Sequence, residues 1–237
     1  MKYLKKFASN TEYQAFLESA DFVVPNVSLL EATGEVKYLA KIPPTIYSYI
    51  KGDGSAYIIL DYYLSNYDRI EVVRQGEASA VVTLGAKSSK MMATMLISQD
   101  RKGYFIFRTS TSHFLDVGDT STNVPYVMGM VKEGDKYYDK VLRGDYNYTL
   151  YTHSTPPEEV FSDIKLRVFA GTLQDSEEVD SRIFSGKIYS LKIIDARDGR
   201  VKINLVPAEE DGVPGMYDLV NDKFYANANS TGAFTLG

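Results

Sequence analysis

The sequence contains no cysteine and no tryptophan, and histidine occurs only at His113 and His153. Without cysteine there can be no disulfide, no thiol nucleophile and no cysteine-ligated zinc. The absence of cysteine does not indicate whether the protein works in an oxidising or a reducing compartment. The two histidines lie far apart in the sequence, without the spacing of metal ligands. We therefore expect no metal site built on these residue types.

The chain also lacks a long apolar run. Its basic start, Met1 to Lys6, is followed by the polar segment Ser9 to Glu12 instead of the roughly 7 to 15 apolar residues of a signal peptide. No later window approaches the roughly 18 apolar residues that a membrane helix needs. We therefore expect a chain with neither an export signal nor a membrane span.

Positive charge is not in excess, because 26 Lys and Arg stand against 31 Asp and Glu, giving a net charge of -5. This balance argues against a general nucleic-acid binder, which needs surplus cations on one face. Gly52-Asp53-Gly54 lacks the third glycine of a phosphate-binding loop, and no Gly-x-Ser-x-Gly nucleophile motif occurs. We expect no cofactor and favour neutral partners.

Tyrosine and phenylalanine are abundant, with 19 and 11 copies, and tyrosine favours a pleated, half-buried surface. From Tyr47 onward the chain consists of short β-type runs separated by polar residues or glycine. One run alternates between two faces: Ile164, Leu166, Val168 and Ala170 against Asp163, Lys165, Arg167 and Phe169. Many strands without intervening helices predict an all-β fold, an antiparallel β-sandwich.

The first residues predict a separate small element. A capping box at Ser9 to Glu12 predicts a helix from Asn10 to Ser19, and Asn26 to Leu30 with Glu35 to Leu39 predict a hairpin. A helix and one hairpin bury too little surface to fold alone, so they must dock on the neighbouring domain, a second copy or a larger assembly. With Ile42-Pro43-Pro44 as a hinge, we predict a docking or oligomerisation arm at 1–42 and a sandwich domain at 46–237.

Four segments carry a family resemblance. The segments are Tyr49 to Ile58, Asp68 to Val72, Phe184 to Ile193 and Gly215 to Tyr225. In this order they resemble the concanavalin-A-like lectin and glucanase jelly roll, in its laminin-G-like variety. The resemblance implies a lectin-like domain, in which we interpret these segments as markers of the fold and not as site residues.

The N-terminal segment resembles the leading segments of structural proteins from tailed bacteriophages of gut bacteria. The resemblance rests on Lys5-Lys6-Phe7, Glu12-Tyr13 and Pro25-Asn26-Val27-Ser28. It implies an arm that attaches the lectin-like domain to other virion proteins. We therefore expect a non-enzymatic virion protein, a head- or tail-attached decoration or fibre protein, made in the host cytoplasm. By family analogy we also expect a symmetric homo-oligomer.

Jelly rolls of this family include glycoside hydrolases, whose laminarinase-like members carry Glu-x-Asp-x-x-Glu on one strand. The nearest match here begins at Glu178 and Asp180 but has Ile183 in place of the second glutamate. We therefore assign no catalytic residue. A hydrolase with another carboxylate pair stays the alternative, and unchanged turnover after substitution of Glu71 or Glu178 would exclude it.

Some laminin-G-like domains bind calcium, which needs oxygen ligands on loops. Asp116, Asp119 and Asn123 could supply them, although the ordinary polarity of a surface loop explains the same residues. We assign no metal ligand.

The strongest pattern for sugar binding lies in the run Asp145 to His153. Alternation predicts Tyr146, Tyr148 and Leu150 on the core face and Asn147, Thr149, Tyr151 and His153 on the other, beside Tyr138 of a neighbouring strand. We predict Asn147, Tyr151, His153 and Tyr138 as the glycan-binding residues. Cross-strand packing or a subunit contact would explain outward tyrosines equally well. A bacterial polysaccharide-binding protein and a purely architectural protein also stay open.

The arm can be tested by light scattering on the full chain and on a truncated chain that begins at Tyr47. We expect the full chain to be a symmetric oligomer and the truncated chain to be a soluble monomer, because the unpaired hairpin invites pairing with a partner. Two well-folded monomers would contradict an assembly role for the arm.

Overall fold

The computed structural model describes residues 4–7, 38–41, 44–76, 81–87, 92–97, 102–107, 113–116, 124–173 and 176–237. All regular elements in these residues are β-strands. Among them there is no helix long and apolar enough to cross a membrane. The chain divides into two compact units, residues 1–45 and 46–237.

In the first unit, β1 (Leu4–Phe7) pairs antiparallel with β2 (Tyr38–Lys41). Strand β1 is not predicted from the sequence, since its partner lies more than thirty residues away and the pairing leaves no local pattern. The predicted helix from Asn10 to Ser19 and the predicted hairpin strand from Asn26 to Leu30 lie outside the described residues.

The rest of the described chain forms strands β3 to β19. Their bounds are β3 Thr45–Ile46, β4 Ile50–Asp53, β5 Ile58–Ser65, β6 Asp68–Gly76, β7 Val81–Lys87, β8 Met92–Ile97, β9 Lys102–Phe107, β10 His113–Asp116, β11 Tyr126–Glu133, β12 Lys136–Arg143, β13 Tyr146–His153, β14 Phe161–Val168, β15 Ser185–Asp195, β16 Val201–Glu210, β17 Val213–Asp218, β18 Lys223–Ala226 and β19 Phe234–Leu236.

These strands form two antiparallel sheets. The smaller sheet has the order β10-β9-β8-β7-β14-β5, and the larger has the order β13-β12-β11-β6-β15-β16-β17-β18, with β3, β4 and β19 attached beside this path. The chain crosses repeatedly from one sheet to the other, as it does in a jelly roll. The predicted all-β antiparallel sandwich is confirmed.

The core lies between the two sheets. Ile70 and Val72 of β6 pair with Ile193 and Leu191 of β15, so these four side chains share one face, and all are fully buried. The same cluster contains buried side chains of the smaller sheet: Leu60, Leu84, Ala86, Met95 and Leu166. Burying each large aliphatic side chain stabilises the fold by about 1.5–3 kcal/mol.

The predicted alternation in β14 holds for one face only. Ile164, Leu166, Val168 and Ala170 are buried as predicted. Arg167 on the opposite face is also buried, only 2% exposed, because its guanidinium donates to the backbone oxygen and the carboxylate of Glu177. Phe169 follows the end of the strand with a φ of 70° and packs against Phe184 and Phe234, so the predicted alternation does not extend to it.

The Gly52-Asp53-Gly54 segment has a structural role. Gly54 forms the turn with a φ of 92°, which suits glycine. The Asp53 carboxylate accepts backbone N–H groups of Ser55, Ala56 and Ala233. Burial alone would raise the pKa of Asp53, but these hydrogen bonds lower it to about 2. The ionised carboxylate therefore ties the turn after β4 to the C-terminal segment.

Candidate functional site

An open groove of about 510 Å³ lies at one side of the sandwich. There β5, at the edge of the smaller sheet, meets the start of β16 and the β17–β18 turn of the larger sheet. A volume of this size is typical of ligand sites. Its lining combines three cations, a carboxylate, an amide, two tyrosines and three aliphatic side chains: Arg200, Lys202, Lys223, Asp61, Asn221, Tyr62, Tyr225, Val201, Ile203 and Val220.

Strand β5 contributes Asp61 and Tyr62, which point to opposite faces because successive residues of a strand alternate. The Asp61 side chain is 56% exposed. The Tyr62 hydroxyl donates to Asp68 Oδ2 at 2.9 Å. Burial and the neighbouring Asp68 charge raise the pKa of Tyr62, so its phenol stays neutral and keeps this hydrogen bond.

Asp61 joins the two sheets across the groove. Its carboxylate accepts Lys165 Nζ of β14 at 2.8 Å and Lys223 Nζ of β18 at 3.2 Å. These hydrogen bonds and charges hold the pKa of Asp61 below its usual range. The group is therefore an ionised acceptor at the surface. Exposed ion pairs of this kind contribute little stability, so contacts with a ligand can replace them at small cost.

A network of charges lies beneath the groove. Lys202 Nζ donates to Asp68 Oδ1 at 2.8 Å and to Asp195 Oδ2 at 2.9 Å. Arg197 bonds to Asp195 at 2.7 Å and to Glu159 at 2.8 Å. Buried charges require such partners, and these fix β6, β15 and β16 to one another.

The pKa values follow from this geometry. Hydrogen bonds from Arg197 and Lys202 hold the pKa of Asp195 well below its usual range, against its burial. Burial raises the pKa of Asp68 in spite of its contact with Lys202. Burial alone would lower the pKa of Lys202, but its bonds to the two aspartates outweigh burial and raise it. Lys202 is therefore held as a cation.

The β15–β16 turn places Arg200 at the edge of the groove. The turn closes through the N–H of Asp195 to the oxygen of Arg200 at 2.9 Å and the N–H of Gly199 to the oxygen of Asp195 at 2.8 Å. Gly199 has a φ of 75°, and the N–H of Arg200 donates to Asp198 Oδ1 at 2.9 Å. The backbone of Arg200 is thus fixed while its side chain is exposed.

The β17–β18 turn also lines the groove. Asp218 Oδ1 accepts the N–H groups of Asn204 at 2.9 Å and Val220 at 3.0 Å, and Asp218 Oδ2 accepts the side-chain amide of Asn221 at 2.6 Å. The same amide nitrogen donates to the backbone oxygen of Lys202 at 2.8 Å. This bonding holds Val220, 47% exposed, and the Asn221 side chain against the groove.

The predicted sugar-binding strand, β13, contains a β-bulge. Asp139 of β12 pairs with Tyr151, but the next residue, Lys140, pairs with Thr149. Strand β13 therefore carries one extra residue at Leu150, and its alternation shifts at that point. Local sequence cannot show this shift, because the pairing of two strands defines it.

The bulge separates the four predicted glycan-binding residues. Residues paired across an antiparallel ladder share a face, so Tyr151 and His153 lie on the face of Asp139. Asn147 and Tyr138 lie on the opposite face of the same sheet. The prediction that the four side chains form one surface is wrong. Sugar binding by any one of them stays a prediction.

His153 and its neighbours on β13 contact a carboxylate, a tyrosine ring and the core. His153 Nε2 lies 3.0 Å from Asp139 Oδ2, and the histidine is buried, 8% exposed. The Tyr151 ring lies 4.8 Å from the His153 ring and is 62% exposed. Tyr148 and Leu150 pack against the core as predicted. The histidine is therefore positioned by packing and a carboxylate, at the edge of the sheet.

Of the three residues considered as calcium ligands, the described part of the chain contains Asp116 alone. Asp116 is the last residue of β10 and not part of a loop, and Asp119 and Asn123 lie outside the described residues. Within the described ranges no group of three His, Asp or Glu side chains is arranged to hold a metal ion.

Two of the carboxylates considered for catalysis, Asp180 and Glu71, have structural partners. Buried Asp180 accepts both the backbone and the guanidinium of Arg182 and lies 3.5 Å from Lys87 Nζ. Burial would raise the pKa of Asp180, but the Arg182 and Lys87 contacts lower it to about 2. Glu71 lies 3.1 Å from Arg69. Glu178 is exposed and directly precedes Val179, which forms an isolated bridge with Thr172.

The groove has no continuous signature in the sequence. Asn221 and Lys223 belong to the segment Gly215 to Tyr225, a marker of the fold, and Asp61 and Arg200 are distant from it in sequence. The one local signal is the Leu219-Val220-Asn221-Asp222 tip, in which aliphatic side chains are exposed beside an amide. Such a tip is typical of a contact surface as well as of a turn.

Comparisons with known proteins identify no family. No protein-family model matches the sequence, and no curated protein matches it. Among solved structures, the chain is similar to a crystal structure of a candidate carbohydrate-binding protein from Bacteroides ovatus, with a TM-score of 0.48 and 10% identity. The similar region covers 89% of this chain and 66% of that one, so this chain spans less than two thirds of that protein. At this level the similarity defines neither fold nor function.

The charge network predicts a pH dependence. The pKa of folded Asp195 lies below its unfolded value, so its ionised form contributes stability that is complete above about pH 4 and is lost as the pH falls below that value. We expect Asp195→Asn to reduce the free energy of unfolding by about 2 kcal/mol near neutral pH. The difference from the wild type should shrink as the pH falls from about 4 to about 2, in urea unfolding at several pH values.

Asp135→Asn removes an exposed carboxylate from the β11–β12 turn and is the matched control. It should change the free energy of unfolding by no more than about 0.5 kcal/mol. A difference for Asp195→Asn that is the same at every pH would show that its charge does not stabilise the network.

Proposed function

We propose that the chain is a non-enzymatic glycan-binding protein and that the groove between β5 and the β16–β18 segment is its binding site. The observation that carries the proposal is the arrangement of the lining. Exposed hydrogen-bond donors and acceptors surround aliphatic side chains, and buried ion pairs and capped turns fix the backbone beneath them.

This arrangement matches the chemistry of a sugar. A sugar ring presents hydroxyl groups that both donate and accept, and C–H faces that prefer apolar contact. Asp61 and the Asn221 side-chain oxygen are available as acceptors, and Lys223 and Arg200 as donors. Val201 and Val220 supply the apolar contact. Because the frame is already in place, binding orders few side chains and loses little entropy.

The lining supports binding without hydrolysis. A glycoside hydrolase uses two carboxyl groups on either side of the scissile bond. Asp61 is the one carboxylate that lines the groove among the described residues, and two lysines neutralise it. A jelly-roll glycoside hydrolase with a site elsewhere stays the alternative, which an assay of turnover on gut polysaccharides addresses.

We extend the proposal to a structural role in a bacteriophage virion, with residues 1–42 as the attachment and oligomerisation arm. The support is the resemblance of the N-terminal segment to phage structural proteins, together with the separate compact unit at residues 1–45. Copurification with capsid or tail proteins favours this role over a bacterial polysaccharide-binding protein.

The groove is tested by a glycan array with the wild type and Asp61→Asn. We expect binding to at least one glycan, and the substitution should weaken the binding of neutral glycans about tenfold or more, because hydrogen bonds from their hydroxyl groups to a charged acceptor are lost. Affinities come from titration calorimetry with the strongest neutral ligand of the array.

Asp135→Asn removes the same charge from a distant turn and should leave the affinity unchanged. An array that stays blank for the wild type would contradict the glycan-binding proposal. Equal affinities for wild type and Asp61→Asn would place the site outside the groove.

A further inference from the structure

The three cations that line the groove differ in how many hydrogen bonds and ion pairs they make. Lys202 is bonded to both Asp68 and Asp195, at 2.8 and 2.9 Å. Lys223 is paired with Asp61 at 3.2 Å. Within the part of the chain that the structure describes, the Arg200 guanidinium makes no hydrogen bond and no ion pair. Arg200 therefore keeps all its side-chain donors for a ligand.

This freedom of the side chain contrasts with a fixed backbone. The N–H and the oxygen of Arg200 are both used, by Asp198 Oδ1 and by the N–H of Asp195, each at 2.9 Å. The nearest carboxylate in the turn thus binds the backbone of Arg200 and not its guanidinium. A positive charge is held at the edge of the groove without a counter-ion, in a chain whose net charge is -5.

The carboxylate of the groove lining does not repel an anion strongly. Asp61, the lining carboxylate, is bonded to two lysines, Lys165 and Lys223, so this cluster carries one surplus positive charge. Lys223 can turn its remaining N–H groups toward a ligand, since an ammonium group has three donors and its bond to Asp61 uses one.

We infer that the groove selects acidic glycans, those containing a uronic or sialic acid residue, and that Arg200 binds the carboxylate of that sugar. The planar guanidinium can donate two parallel hydrogen bonds to a carboxylate, a geometry that a neutral hydroxyl cannot use. The inference rests on the proposed glycan-binding function and adds the chemical class of the ligand.

Two matched ligand pairs test the inference: tetragalacturonic acid with its methyl ester, and sialyllactose with lactose. We expect the acidic member of at least one pair to bind the full chain about tenfold or more tightly than its neutral partner in titration calorimetry. In Arg200→Gln this preference should disappear, and Arg200→Lys should keep only part of it, because lysine lacks the bidentate fork.

Lys192→Gln removes a positive charge from an exposed position of β15 outside the groove lining and should keep the preference. Equal binding of acidic and neutral members would overturn the inference and leave glycan binding in place. Binding of none of the four ligands would also overturn it, and the glycan array then decides the proposed function separately. Loss of the preference in Lys192→Gln would assign it to overall charge and not to Arg200.

Discussion

Exclusion of water from one face of each sheet is the constraint on which the rest of the structure depends. The inner faces supply a continuous cluster of buried apolar side chains that includes Val72, Leu84 and Leu191. Where the two sheets end at β5 and β18, the apolar contact gives way to polar pairs such as Asp61 with Lys223. The groove lies at this transition, where charged and polar side chains replace the close-packed apolar side chains of the core.

Alternation and composition predicted the sandwich because each local pattern agreed with burial in the fold, as Ile164 and Leu166 show. They failed where pairing between strands determines the outcome. The bulge opposite Asp139 and Lys140 divides the predicted sugar-binding face. No feature of the sequence from Tyr146 to His153 indicates this bulge. The groove could not be predicted either, because Asp61, Arg200 and Asn221 come from three separate regions of the sequence.

The polar groups around the groove divide into two classes by what they bind. Asp68, Asp195 and Asp218 support the frame: the first two pair with Lys202 and Arg197, and Asp218 accepts N–H groups of a turn. Arg200 and Asp61 are exposed and carry weak surface pairs or none. A rigid frame beneath exposed polar groups favours recognition of a polar ligand, since the backbone that carries the donors and acceptors is already in position.

Amide chemical-shift mapping on the isotope-labelled full chain, during titration with the strongest ligand from the array, tests the central claim most directly. If the groove is the glycan site, the largest shift changes occur at Asp61, Arg200, Asn221 and Lys223. Changes concentrated around Tyr151 and His153 instead would contradict the account and return the site to the edge strand β13.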